Sequence, residues 1–184
     1  MPHLAILLRA VNIGPGLRVS SADLRGAAED VGLGDARTLL NSGNLVVATD
    51  GADPGDIVRR VQERLAERVG RPVAAVGLSG ARLEEIARDN PFPAAARDDP
   101  ARLQVHVPFG DVDAAGVARL DLANAGREML ATAAGVLYVH YVDGIGRSKL
   151  TATVIDRAVG APTTARNWNT ITKLRAACAD RRSR

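Results

Sequence analysis

The sequence predicts an α+β protein made of two similar βαββαβ halves with mainly antiparallel sheets, followed by a C-terminal helix. Three observations lead there. Two short apolar or alternating runs, "HLAILLRA" at 3–10 and "LQVHVPF" at 103–109, open the same order of elements about a hundred residues apart. After each run comes a stretch with helical spacing, then two strand-like runs joined through a glycine turn. Of the 184 residues, 46% are hydrophobic and only 3% aromatic, so a full core has to be packed from Ala, Val, Leu and Ile.

Each element has a local cause. The run at 3–10 is nearly continuous in apolar residues, as a buried strand requires, and gives way to the glycine-containing loop "VNIGPGLR". Ser20, with Asp23 three residues on, forms a capping-box-like start for a helix. Leu24, Ala27, Ala28 and Val31 supply its apolar face, and Gly32 ends it. "ARTLL" and "LVVAT" flank "NSGN" (41–44), a hairpin turn in which Gly43 is free to take positive φ. Asp53 and Pro54 open a second helix with the stripe Ile57, Val61 and Leu65, stopped by Gly70. "PVAAVGL" (72–78) is the fourth strand.

The second half follows a connecting helix at about 79–89 and a turn at "NPFP". After the strand at 103–109 come a helix near 113–123 and a hairpin of "REMLATA" and "VLYVHYV" around Gly135. A helix is expected to start at Ser148, an extended piece to occupy 161–165, and a final helix to begin near Asn167. On that helix Trp168, Ile171, Leu174 and Cys178 share one stripe, so the single tryptophan faces the core among polar neighbours. The expected organisation is a first half over 1–78, a connecting helix and turn over 79–102, and a second half with the C-terminal helix over 103–184.

This plan predicts where polar residues meet. In a split βαββαβ unit the loop after the first strand and the hairpin between the second and third lie at one end of the sheet. Arg9, Asn12, Gly14 and Arg18 should therefore neighbour Ser42 and Asn44, and arginine forks and amides around glycine backbone suit phosphate or carboxylate groups. The same residue types also serve as turn caps. A second candidate is "DGIGRSKL" (143–150), where Arg147, Ser148 and Lys149 would stand at a helix start and face an anion. If 161–165 is a returning strand, Arg166 comes back to that end, with Asn167, Asn169 and Lys173 on the polar side of the last helix. The bland alternative is that Asn167 caps the helix and the others are solvated.

Catalytic and metal patterns are poor. His106 and His140 fall in predicted strands without a nucleophile, Cys178 sits on an apolar helix face, and no metal-ligand spacing occurs. No cofactor or metal is expected. The net charge of +3, carried by arginine with only two lysines, permits an anionic partner without requiring one. One cysteine, no span-length apolar run and no signal-peptide pattern point to the cytoplasm and away from a membrane. The basic ending, Asp180 to Arg184, reads as a frayed terminus.

"LLRAVNIGPG", "RTLLNSGNLVV", "NPFP", "GRSKL" and "TARNWNTITKL" together resemble the bacterial proteins grouped as domain of unknown function 1697. The likeness implies two ferredoxin-like halves and carries no assigned activity. Its motif positions fall on Arg9, Asn12, Gly14, Ser42, Gly43, Asn44, Ser148, Lys149, Thr164, Arg166, Asn167, Trp168, Asn169 and Thr170. Ala10 stands where the family usually has glycine, and "GPGLRVS" is shorter and less lysine-rich than the usual basic loop.

Three functional readings remain. One or both basic ends bind a small anionic ligand or nucleotide. The polar motifs form a structural seam between halves or subunits. A small enzyme acts on a phosphorylated substrate, with Arg166, Lys149 and Arg9 stabilising charge and no general base identified. Sequence-specific RNA binding is not expected, because Tyr138 and Tyr141 point to opposite faces of one strand. Oligomeric state is not fixed by the sequence.

Overall fold

The computed structural model describes residues 2–13, 16–40, 43–123 and 126–179. It divides into two compact units: residues up to Glu84 together with those from Lys173 on, and Glu85–Thr172. Each unit carries one four-stranded antiparallel sheet, and the strand order is the same in both.

In the first unit, β1 (His3–Leu8) leads through α1 (Ser21–Asp30) to β2 (Arg37–Thr38) and β3 (Asn44–Ala48), then through α2 (Pro54–Val69) to β4 (Ala75–Ser79). The sheet order is β2-β3-β1-β4. Leu7 lies opposite Asn44 in the β1–β3 register, and Leu8 opposite Ala75 in the β1–β4 register. Leu4, Ile6, Leu8, Leu45 and Val47 face Leu24, Ala27 and Ala28 of α1 and Ile57, Val61 and Leu65 of α2. The capping box is complete, for Ser20 and Asp23 exchange side-chain and backbone hydrogen bonds. Gly70 closes α2 in the left-handed conformation. After β4 comes α3 (Gly80–Arg88).

The second unit repeats the plan with α4 (Pro93–Asp98), β5 (Leu103–Pro108), α5 (Ala114–Ala123), β6 (Met129–Ala133), β7 (Val136–His140), α6 (Ala152–Val159) and β8 (Thr163–Asn167), and then starts α7 (Trp168–Cys178), whose residues from Lys173 on belong to the first unit. Its sheet order is β6-β7-β5-β8. Leu137, Val139 and Tyr141 pack with Val117 of α5 and with Leu150, Ile155 and Val159. Tyr138 points to the other face, where its hydroxyl donates to the Ile86 carbonyl at 2.7 Å.

Several elements differ from expectation. The first strand ends at Leu8 because Ala10 takes a φ of 54°, and the "ARTLL" strand shrinks to two residues because Leu40 takes 59°. The turn at "NPFP" holds, with Asn90 Oδ1 accepting from the Phe92 N–H at 2.9 Å, but Pro93 then starts the short helix α4. The helix expected from Ser148 begins at Ala152. Ser148 Oγ accepts from the Leu150 N–H at 3.0 Å, Leu150 is buried, and Thr151 becomes the cap. The extended piece expected at 161–165 is a paired strand shifted to Thr163–Asn167.

Among the described residues no helix is long and apolar enough to cross a membrane.

Candidate functional site

The loop after β1 and the start of β3 meet, as the βαββαβ plan requires. The Leu8 N–H donates to the Gly43 carbonyl at 2.8 Å. Gly43 has φ 71°, and a Cβ there would stand 2.6 Å from Val11 Cγ2, so both its backbone angle and the close approach of Val11 require glycine. Asn41, Ser42, Gly14 and Pro15 lie outside the described residues.

Behind this junction lies an open-sided cavity of about 390 Å³, lined by Asn12, Arg18, Val19, Ser20, Ser21, Leu24, Thr38, Leu40 and Gly43. Of the residues singled out from the sequence, it gathers Asn12 and Arg18 with Gly43. Asn12 holds the loop closed: its Oδ1 accepts from the Val19 N–H and its Nδ2 donates to the Val19 carbonyl, both at 3.0 Å. Asn44 is fully buried and its Nδ2 donates to the Leu39 carbonyl at 2.9 Å, which ties down the hairpin. Arg9 is half-buried, its backbone N–H bonded to the Ala74 carbonyl, and it does not line the cavity.

The cavity wall is cationic on one side. Arg18 is exposed and lines it, and Arg25 Nη1 donates to Thr38 Oγ1 at 3.3 Å from the first turns of α1. Ser20 and Ser21 belong to the N-terminal end of α1, where the helix dipole is positive. Asp23 opposes this charge. Hydrogen bonds from Ser20 hold its carboxyl below the usual carboxylate range, so it stays ionised, but it is not among the lining residues. Val19, Leu24 and Leu40 make the remaining wall apolar. Ser20, Ser21, Leu24, Thr38 and Leu40 were not among the candidate site residues read from the sequence. The Ser20 cap was legible there, and its neighbourhood to Thr38 and Leu40 arises only when β2 folds beside α1.

The second candidate region has a different character. His140 pairs with Leu103 and Asn167 with Gln104, so β7 and β8 end at one rim and Arg166 does return toward the 143–150 loop. Arg147 and Lys149 are exposed there, in and after a single 3₁₀ turn (Ile145–Arg147), and they precede the first turn of α6 instead of lying in it. Arg166 is buried, its Nη1 donating to Thr164 Oγ1 at 3.0 Å and to the Ala165 carbonyl at 2.8 Å. Burial pulls its guanidinium down to about 10, still charged at neutral pH. Asn167 is the N-cap of α7, its Oδ1 accepting from the Thr170 N–H at 2.9 Å and from the Thr170 hydroxyl at 2.8 Å. Ile171, Leu174 and Cys178 of the apolar stripe are buried and Trp168 half-buried, while Asn169 and Lys173 are exposed.

The remaining chemistry-bearing residues are separate. His106 is buried in β5 and its Nε2 has no hydrogen-bond partner among the described residues. Burial lowers its pKa to about 4, and the Asp156 carboxylate opposes the shift. His140 Nε2 lies 3.1 Å from Asp99 Oδ2. Burial pushes the Cys178 thiol up to about 11, which leaves it unreactive at neutral pH. No group of three His, Cys, Asp or Glu side chains comes together among the described residues.

Two antiparallel sheets of the same strand order, each joined by helix crossovers, define a protein of two ferredoxin-like halves. The chain belongs to the DUF1697 family, whose model, described as "Protein of unknown function (DUF1697)", matches residues 1–138. "GRSKL" and "TARNWNTITKL" lie beyond that match. Among solved structures the chain is similar to the conserved bacterial protein SP0830 from Streptococcus pneumoniae, with a TM-score of 0.71 and 20% identity, covering 95% of this chain and 97% of that one. At that identity the likeness carries the fold. No curated protein matches the chain.

Proposed function

We propose that the first unit binds a small anionic ligand, phosphate- or carboxylate-bearing, in the cavity beside α1. The observation that carries this reading is the lining itself: Arg18, Ser20, Ser21 and Thr38 converge on about 390 Å³ of open space at a helix start. That volume falls within the range of small-ligand pockets, roughly 300–1,000 Å³. The Arg18 guanidinium and the Ser21 and Thr38 hydroxyls beside a positive helix end match the charge and hydrogen-bonding needs of such a ligand, while the Ser20 hydroxyl is already given to Asp23.

Calorimetric titration with inorganic phosphate and nucleoside monophosphates at two salt concentrations tests the reading. Binding that weakens with salt, and about tenfold or more in Arg18→Ala, is expected. Absent binding, or binding indifferent to both salt and Arg18→Ala, would overturn it.

A structural reading has support in the second unit. The Arg166 and Asn167 side chains are engaged with neighbours in their own strand and helix, which favours a strand-to-helix clasp over a ligand site. On this reading Arg147→Ala with Lys149→Ala leaves anion binding unchanged. A base-stacking RNA platform has no support, since Tyr138 and Tyr141 are both buried.

A further inference from the structure

We infer that the ligand of this cavity is an anion carrying a compact apolar body, aliphatic or aromatic, and that Leu40 is the residue that selects for it. The inference rests on the anion reading and goes further by naming what fills the rest of the space. A bare tetrahedral anion displaces roughly two or three waters, each of about 30 Å³, and would leave most of the cavity of about 390 Å³ wet. Beside Asn12 and Gly43, the remaining wall is Val19, Leu24 and Leu40. Val19 and Leu24 are buried, while Leu40 is 49% exposed, so apolar surface is held open at the mouth.

Leu40 is placed there at a cost. Its φ of 59° lies in the left-handed region, which a leucine adopts only under constraint, and the constraint is visible on both sides. Thr38 pairs with Leu45 in the β2–β3 register, while the Leu39 N–H donates to the Asn44 carbonyl at 3.0 Å and the Leu39 carbonyl accepts from Asn44 Nδ2. Glycine or asparagine would occupy the same backbone with less strain. A large apolar side chain at a strained position, half exposed to water and lining a cavity beside Arg18, stands outside the core cluster of the first unit. Contact with an apolar part of a ligand accounts for it.

The test is a series of n-alkyl phosphates, methyl to hexyl, titrated into the whole protein and into Arg18→Ala and Leu40→Asn. Each added methylene should tighten binding by the native chain about two- to fourfold until the apolar wall is covered. Leu40→Asn should flatten that increment and leave the thermal midpoint unchanged or higher, because asparagine tolerates the left-handed backbone. Arg18→Ala should weaken every member by a similar factor and keep the increment. Methyl phosphate binding that depends on Arg18 without any gain along the series would overturn this inference and leave the anion reading standing. An increment that survives in Leu40→Asn would also overturn it. No binding by any member would overturn both.

Discussion

Asn12 shows how one side chain can fasten a loop around a cavity that it also lines. Its φ of 58° adds a second left-handed residue after Ala10 in the loop that leaves β1, and its side-chain oxygen and nitrogen both bond to the Val19 backbone seven residues on. The loop that carries Arg18 is therefore fastened at its neck by two hydrogen bonds. Asn12→Ala removes both and places a Cβ residue without local compensation in the left-handed region. We expect a loss of roughly 1–3 kcal/mol, read as a lower urea midpoint at unchanged m-value. Asn12→Gly isolates the two causes, since it relieves the backbone and still loses the bonds. An Asn12→Ala variant as stable as the native chain would show that the Val19 bonds are not holding the loop. Asn167 performs the corresponding task at the start of α7. Asn167→Ala should cost about 0.5–2 kcal/mol, and Asn167→Ser or Asn167→Asp should recover most of it, measured as thermal midpoints.

At the scale of elements, α5 and α6 meet through one glycine. A Cβ on Gly116 would stand 2.2 Å from the Ala158 carbonyl oxygen, which is backbone and has no rotamer through which to yield. Gly116→Ala should therefore separate the two helices and destabilise the protein by about 1–3 kcal/mol or more, seen as a lower midpoint of chemical unfolding. A midpoint raised by the better helix propensity of alanine would show that the contact is loose. Such close approaches were not legible in the sequence, although the elements that make them were. The period-2 and period-3.6 patterns located β1, α1, α2, β5 and β7, because burial of one face dictates spacing whatever the partner. Element ends were legible where a cap announced them, as at Ser20, Asp53 and Gly70. They were misread where a local polar bond competed, as at Ser148, whose hydroxyl takes the Leu150 N–H and lets Thr151 cap the helix instead. The candidate site was half legible for the same reason. Topology forecast that Asn12 and Gly43 would meet, while Thr38 and Leu40 joined them through the left-handed turn of Leu40, which nothing in "ARTLL" announces.

At the scale of the whole molecule, the two units share a plan but carry different liabilities toward acid. His106 sits in the central strand of the second sheet, opposite Leu137 of β7 and Ala165 of β8, with the Asp156 carboxylate as its opposing charge. In the folded chain the imidazole stays neutral down to about pH 4, whereas an unfolded histidine takes its proton near 6.5. Between those values the unfolded state binds more protons, so stability is held above pH 6.5 and lost as pH falls toward 4. The full extent is roughly 3 kcal/mol, the equivalent of about two and a half pKa units. Because the group lies in one unit, the loss should be local before it is global. Hydrogen exchange compared between pH 7 and pH 5, after correction for intrinsic rates, should show amides of β5, β7 and β8 losing more protection than those of β1, β3 and β4. His106→Leu, which keeps an apolar side chain of similar size and removes the proton site, should abolish the difference. Equal loss of protection in both sheets, or a difference that persists in His106→Leu, would place the acid sensitivity elsewhere in the chain.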